Sequence, residues 1–247
     1  MLCRYPRLRR QLRCCTLSSG GRRRGRGGGA ATDAATRPSK VAVLLIDFQR
    51  AFLDGAWAKQ HGVASGEMRP IVAAAERAAS VLLGQPTSFG AMPIMTTRCY
   101  LDGPDSELPP FLVECLPTDV PFVHKPTMDV MKSADFTGWM ERQMDEPEGV
   151  EVLVVGGCTT TSCVRVSSQA IQRHFGPNGL QVVVDLSLCG ARVTNYCAQN
   201  AQQDIGLRQL FGSEMVKGRS AVELAILQME RAGVQVVTDF FAGHKSH

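Results

Sequence analysis

Apolar residues follow two alternating rhythms along this chain. VAVLLID (41–47), AMPIMTTR (91–98), VPFVHK (120–125), VEVLVVGG (150–157), LQVVVDL (180–186) and VQVV (234–237) are short apolar runs rich in β-branched residues. Such runs predict parallel strands buried on both faces. Between them, MRPIVAAAERAASVLLG (68–84), SADFTGWMERQM (133–144), SCVRVSSQAIQRHF (162–175), VTNYCAQNAQQDIGLRQLF (193–211) and SAVELAILQMERAG (220–233) carry helical spacing. Ser133 and Thr194 are the N-caps this reading assigns to the second and fourth of these helices. Strand and helix alternate throughout. That order predicts an α/β fold, a three-layer α/β/α sandwich around a mostly parallel central sheet with Rossmann-like topology.

In sheets of this kind, sites form outside the carboxyl ends of the strands. Three chemically useful residues stand there. Asp47 ends the first run, Lys125 ends the third, and Cys163 follows the fourth through GGCTTTSCV (156–164). A thiol at a helix start feels unpaired N–H groups and the positive dipole end, which favour its thiolate. Two glycines ahead of it permit close backbone approach. Taken singly, each residue has an ordinary explanation: a buried thiol, a solvated strand-end lysine, a capping aspartate. Taken together they are a nucleophile with an acid and a base able to activate it.

These residues resemble the isochorismatase-like cysteine hydrolases from about Val41 to about Val237. The likeness rests on VAVLLIDFQRAFLD, HKP and VLVVGGCTTTSCVRVSSQAI. The family pattern is an apolar strand ending in D-x-Q, a strand-end Lys, and G-x-x-T-x-x-C-V. Its counterparts are Asp47 with Gln49, then Lys125, then Gly156 or Gly157 through Thr159 to Cys163 and Val164. The resemblance implies a Cys163 nucleophile, Asp47 as proton acceptor and donor, and Lys125 as the charge that holds both. It also implies an oxyanion hole from the backbone N–H groups of Thr159 and Cys163, and a non-proline cis peptide at Cys158–Thr159. Gln49, Phe52, Trp57 and Tyr100 are candidates for the substrate pocket, with packing roles open to each.

Nicotinamidases of this family hold a metal through an Asp and histidines after the second strand. TRCYLDGPDSELPPF (97–111) has no histidine, so neither a metal nor another cofactor is expected. Acyl-enzyme chemistry on a small amide, carbamoyl or ureide C–N bond suits a thiol nucleophile. A catalytically silent binding or assembly module on the same fold is the alternative. A small-molecule substrate and assembly as a homo-oligomer are expected. No G-x-G-x-x-G or P-loop occurs, and nucleic acid is not expected on the folded domain.

Charge separates one end of the chain from the rest. Residues 1–40 hold ten Arg and one Lys against Asp33, a net +10, while the remainder holds 16 basic and 22 acidic residues, a net −6. The first 40 residues thus read as an Arg-rich leader, and 41–247 as the hydrolase domain. The leader lacks the apolar stretch of about 7–15 residues that a secretory signal needs. A transit peptide for a mitochondrion or plastid, an RNA-binding tail, and a disordered cytoplasmic leader all fit its composition. No run approaches the roughly 18 apolar residues of a membrane span. Nine cysteines, an odd number without a C-x-x-C pair, predict free thiols rather than a disulfide framework or a structural zinc site. Cys158 and Cys163 are the one spacing that raises a redox pair, against the simpler reading of Cys158 as a small apolar strand residue.

Overall fold

A computed structural model of the chain describes residues 40–84, 92–147 and 149–242. The leader expectations fall on residues 1–39 and lie outside the described residues. Among the described residues, six strands form one sheet: β1 (Lys40–Ile46), β2 (Ile94–Cys99), β3 (Phe122–Lys125), β4 (Val150–Cys158), β5 (Gln181–Gly190) and β6 (Gln235–Val237). Their order is β3-β2-β1-β4-β5-β6, and every neighbouring pair is parallel. The described residues also form ten α-helical segments: α1 (Arg50–Leu53), α2 (Ala56–Gln60), α3 (Arg69–Leu83), α4 (Pro110–Val113), α5 (Ala134–Asp145), α6 (Arg165–Phe175), α7 (Ala198–Gln203), α8 (Ile205–Phe211), α9 (Ser213–Val216) and α10 (Ala221–Arg231). Among the described residues, no helix is long and apolar enough to cross a membrane.

The sheet is apolar on both faces because its strands alternate between two cores. Val41, Val43 and Leu45 of β1 pack with Ile71, Ala74, Ala75, Ala78 and Leu82 of α3, and with Leu53 and Leu112 from α1 and α4. Ala42, Leu44 and Ile46 face the other way, onto Phe136, Trp139 and Met140 of α5, Ile171 and Phe175 of α6, and Met229 of α10. The α3 positions recur at i, i+3, i+4 and i+7, one stripe of a helix. This is the α/β/α sandwich that the alternating pattern predicts.

Two local expectations are corrected. The segment 193–211 is not one helix: Val193–Tyr196 is a 3₁₀ turn, and α7 and α8 follow as separate pieces. Asp204 explains the second break. It adopts extended backbone, and its carboxylate accepts the Leu207 N–H, so a fresh helix starts there. Thr194 caps no helix; its hydroxyl instead donates to Glu67 Oε2 at 2.9 Å, tying this loop to the approach to α3. Ser133 does occupy the N-cap position of α5, but its side chain makes no capping hydrogen bond.

Register brings the strand ends level. Ile46 pairs with Gly157 and with Thr97, while Cys99 pairs with Lys125. Gly157 has φ +135, and a Cβ there would collide with the Ile46 carbonyl oxygen. Only glycine lets β4 run this close to β1 at the edge where Asp47 follows. Gly157→Ala is therefore expected to lower stability by about 2–4 kcal/mol through backbone clash and strain. Urea unfolding followed by circular dichroism measures it; a loss under about half a kcal/mol would refute the close-approach argument.

Candidate active site

Asp47 is the first residue beyond β1, and its backbone is left-handed, with φ +53. That region is uncommon for any residue but glycine and is best tolerated by Asn and Asp. The Asp47 N–H reaches both the carbonyl and the hydroxyl of Thr97, at 3.3 and 3.2 Å. The Thr97 hydroxyl in turn donates to Asp47 Oδ1 at 2.7 Å. The other carboxylate oxygen, Oδ2, takes the Lys125 ammonium at 2.6 Å, and both side chains are wholly removed from solvent.

Lys125 arrives from β3, two strands away. Its Nζ also donates to the Thr127 carbonyl at 3.2 Å. The loop beyond it is pinned by buried Ser167 of α6, whose hydroxyl accepts from Val130 N and donates to the Met128 carbonyl. The same Nζ stands 3.5 Å from Cys163 Sγ. The structure thus brings Asp47, Lys125 and Cys163 to one point at the carboxyl edge of the sheet.

Cys163 sits in a π-helical turn, Thr160–Val164, that precedes α6. Such turns inside helices are frequent at functional sites. The Cys158–Thr159 peptide leading into it is cis. The N–H groups of Ser162 and Val164 both point back to the Thr159 carbonyl, at 3.0 and 3.3 Å. Hydroxyls brace the turn: Thr159 Oγ1 lies 2.6 Å from Ser162 Oγ, and Asn195 donates to Thr161 Oγ1 at 3.3 Å. Arg165 holds the Thr161 carbonyl at 2.9 Å and Gln228 Oε1 at 2.6 Å.

A fourth side chain stands at this point that the strand pattern did not single out. Cys99, the last residue of β2, places its Sγ 3.3 Å from Asp47 Oδ2 and 3.4 Å from Lys125 Nζ. The strand-end rule that found Lys125 applies equally to Cys99, but the second run was bounded at Arg98, and CYLDGPDSELPP reads as a loop full of turn residues. Hydrogen bonding to Cys163, burial and the Asp47 charge together push the Cys99 thiol far above its ordinary range, so it remains a protonated donor. The reciprocal bond from Cys99 pulls the Cys163 thiol below its ordinary value of 9.0. Burial and the Asp47 charge oppose that shift, and the Lys125 ammonium supports it. For Lys125, burial disfavours the charge, yet Asp47 and Cys163 outweigh burial and raise it above the usual lysine value.

The pocket candidates divide. Gln49 is fully buried and committed to backbone: its Oε1 accepts from Cys99 N at 2.7 Å, and its Nε2 donates to the carbonyls of Cys99 and Ser106 at 3.1 and 3.0 Å. It acts as a clamp that fixes the end of β2. Phe52 and Trp57 pack edge-to-face, 5.3 Å between centroids, against the core under α3. Tyr100 is 69% exposed and stacks on His124 at 4.9 Å. Cys158 is buried in that same core on the α3 face and donates to the Asp47 carbonyl at 2.9 Å, whereas Cys163 packs toward the α5–α6 face. Among the described residues, no three His, Cys, Asp or Glu side chains form a metal-holding group.

An Isochorismatase domain model matches residues 41–212. A comparison with curated proteins finds no match. Among solved structures, YcaC from Escherichia coli, an octameric hydrolase of unknown specificity, superposes with TM-score 0.52 at 20% identity, covering 84% of this chain and 80% of that one. The MAR1 ribonuclease of Caenorhabditis elegans gives TM-score 0.51 at 17% identity, covering 82% and 78%. A pyrazinamidase/nicotinamidase from Streptococcus mutans gives 0.53 at 14% identity, covering 80% and 99%.

The buried pair makes a separable claim about stability. Lys125→Met leaves the Asp47 carboxylate without its cation and should cost about 3–5 kcal/mol. Combining it with Asp47→Asn removes the orphaned charge, and the double variant should recover at least about 2 kcal/mol of that loss. Chemical denaturation of the three proteins tests this. Additive losses in the double variant would mean that the two groups do not form a mutually dependent pair.

Proposed function

This chain belongs to the isochorismatase family, a family that includes hydrolases, and on that premise we propose that it is a metal-independent cysteine hydrolase acting on a small amide, carbamoyl or ureide C–N bond. The observation that carries the reading is the shared contact of one buried ammonium with Asp47 Oδ2 at 2.6 Å and Cys163 Sγ at 3.5 Å. The depressed Cys163 thiol supplies the nucleophile. Its sulfur adds to the substrate carbonyl carbon. The backbone N–H groups of Thr159 and Cys163 receive the charge that develops on oxygen. Asp47 takes the thiol proton and returns it to the departing nitrogen as the C–N bond breaks, leaving a thioester. Water, deprotonated by Asp47, then adds to the thioester and expels Cys163.

Lys125 holds the carboxylate and the sulfur in register throughout. Its ammonium fills the space between Asp47, Cys99 and Cys163. The reading without a metal is supported by the segment 97–111, which holds no histidine. The silent-module alternative is disfavoured by the same feature, since a scaffold gains nothing from a buried charge pair beside a depressed thiol. The fold is shared by proteins described as a nicotinamidase and a ribonuclease, so substrate identity rests on the pocket and not on architecture.

Turnover of a panel of amides, carbamoyl amines and ureides should fall by at least about a thousandfold in Cys163→Ala. Equal turnover by variant and wild type would remove the nucleophile. In the wild type, kcat/KM should rise with pH in step with the thiolate, with its midpoint below 9.0. Because Lys125 is held above its usual value of 10.5, it should impose no falling limb below that pH. A midpoint at or above 9.0 would contradict an activated Cys163.

We further propose assembly with copies of itself. The octameric E. coli neighbour supports this, as do the exposed side chains of Leu83, Tyr100, Val113 and Phe122, from 48% to 73% accessible. Light scattering coupled to size exclusion should give a mass above one chain; a monomer at micromolar concentration would overturn it.

A further inference from the structure

Cys99 has no assigned part in hydrolysis, yet it is built into the centre of the site. Lys125 Nζ lies 3.4 Å from Cys99 Sγ and 3.5 Å from Cys163 Sγ, so one cation bridges the two sulfurs. With one Nζ in contact with both, the two sulfurs face the same small space at the carboxyl edge of the sheet. Cys99 is held in this position by its backbone: Gln49 accepts its N–H and donates to its carbonyl, while Asp47 Oδ2 accepts its S–H. The remaining buried thiols do not compete. Cys158 points into the core on the α3 face, and Cys189 directs its S–H toward the Val155 carbonyl. The spacing in the sequence singled out Cys158 with Cys163; the fold pairs Cys163 with Cys99 instead.

We propose that Cys99 and Cys163 form a reversible disulfide when a hydroperoxide reaches the site, shutting off hydrolysis and protecting the nucleophile from further oxidation. The proposal rests on Cys163 being a reactive thiolate. In the first step the Cys163 sulfur attacks one peroxide oxygen, the O–O bond breaks, and Cys163 becomes a sulfenic acid as the second oxygen leaves as water or alcohol. In the second step the Cys99 sulfur attacks that sulfenic sulfur, the S–OH bond breaks, and the Cys99 proton leaves with the hydroxide as water. Two thiols and one hydroperoxide thus give one disulfide, with both peroxide oxygens reduced.

The charges favour this order. While Cys163 is a thiolate, its negative charge and its hydrogen bond keep Cys99 protonated and inert. Oxidation of Cys163 to the neutral sulfenic acid removes that charge. The Lys125 ammonium then has the Cys99 sulfur as its remaining sulfur anion to stabilise, and Asp47 is in place to accept the proton. The resolving thiol is therefore released by the event it resolves.

The test uses the reduced full chain, titrated with hydrogen peroxide at one equivalent and mapped by mass spectrometry of peptides under non-reducing conditions. The expected product is a Cys99–Cys163 linked peptide, lighter by two hydrogen masses, with hydrolysis lost and then restored by a dithiol reductant. In Cys99→Ser, one equivalent should stop at the Cys163 sulfenic acid, and a second equivalent should carry it to sulfinic acid, which a dithiol does not reverse. Cys163 found as sulfenic or sulfinic acid in the wild type with Cys99 still a free thiol would overturn the proposal. So would a link from Cys163 to Cys158. The readout is mass and not turnover. An inactive Cys163→Ala without the wild-type disulfide sinks this inference and leaves the hydrolase reading standing. A disulfide in a protein whose Cys163→Ala variant hydrolyses normally does the reverse.

Discussion

The contact between Asp47 and Lys125 is a full charge pair with no water on either side chain. Moving two such ions out of water costs several kcal/mol each, and their attraction offsets that only when every remaining lone pair and proton is satisfied. The surroundings meet that condition closely. Oδ1 has the Thr97 hydroxyl, Oδ2 has the ammonium and the Cys99 S–H, and Nζ has the Thr127 carbonyl and two sulfurs. The partners come from the end of β2, the loop after β3 and the turn after β4. The pair therefore locks β1, β2, β3 and the turn after β4 to one another. It also explains the features that look costly in isolation: a left-handed aspartate, a glycine pressed against Ile46, and a glutamine used as a backbone clamp.

Much of this was readable from residue order. Parallel strands bury both faces, so they announce themselves as apolar runs, and the run's last polar residue marks the functional edge. Asp47 and Lys125 were found that way, and Cys163 by its place between a glycine pair and a helix. What the pattern could not supply was the third dimension at the edge. Cys99 ends a strand just as Lys125 does, but cysteine is apolar enough to read as packing, and the turn residues beyond it drew its neighbourhood into a loop. Gln49 was visible as part of D-x-Q, yet its task depends on the β1–β2 register, which no single segment encodes. The broken helix over 193–211 has the same origin. Apolar spacing continues across Asp204, and only the side chain's bond to Leu207 N shows the chain restarting.

Placing a thiol beside a buried charge pair has a consequence that the pair itself dictates. The Lys125 ammonium favours an anion at Cys163 and equally at Cys99, because it stands at nearly the same distance from both. While Cys163 is the anion, Cys99 keeps its proton and directs it at Asp47 Oδ2, 3.3 Å away. The second thiol is thus an electrostatic partner in the resting state. A serine there would donate a similar hydrogen bond but could not exchange electrons with sulfur. Hydrogen bonding alone therefore gives no reason to prefer cysteine at position 99, and the chemical difference between the two residues is redox chemistry.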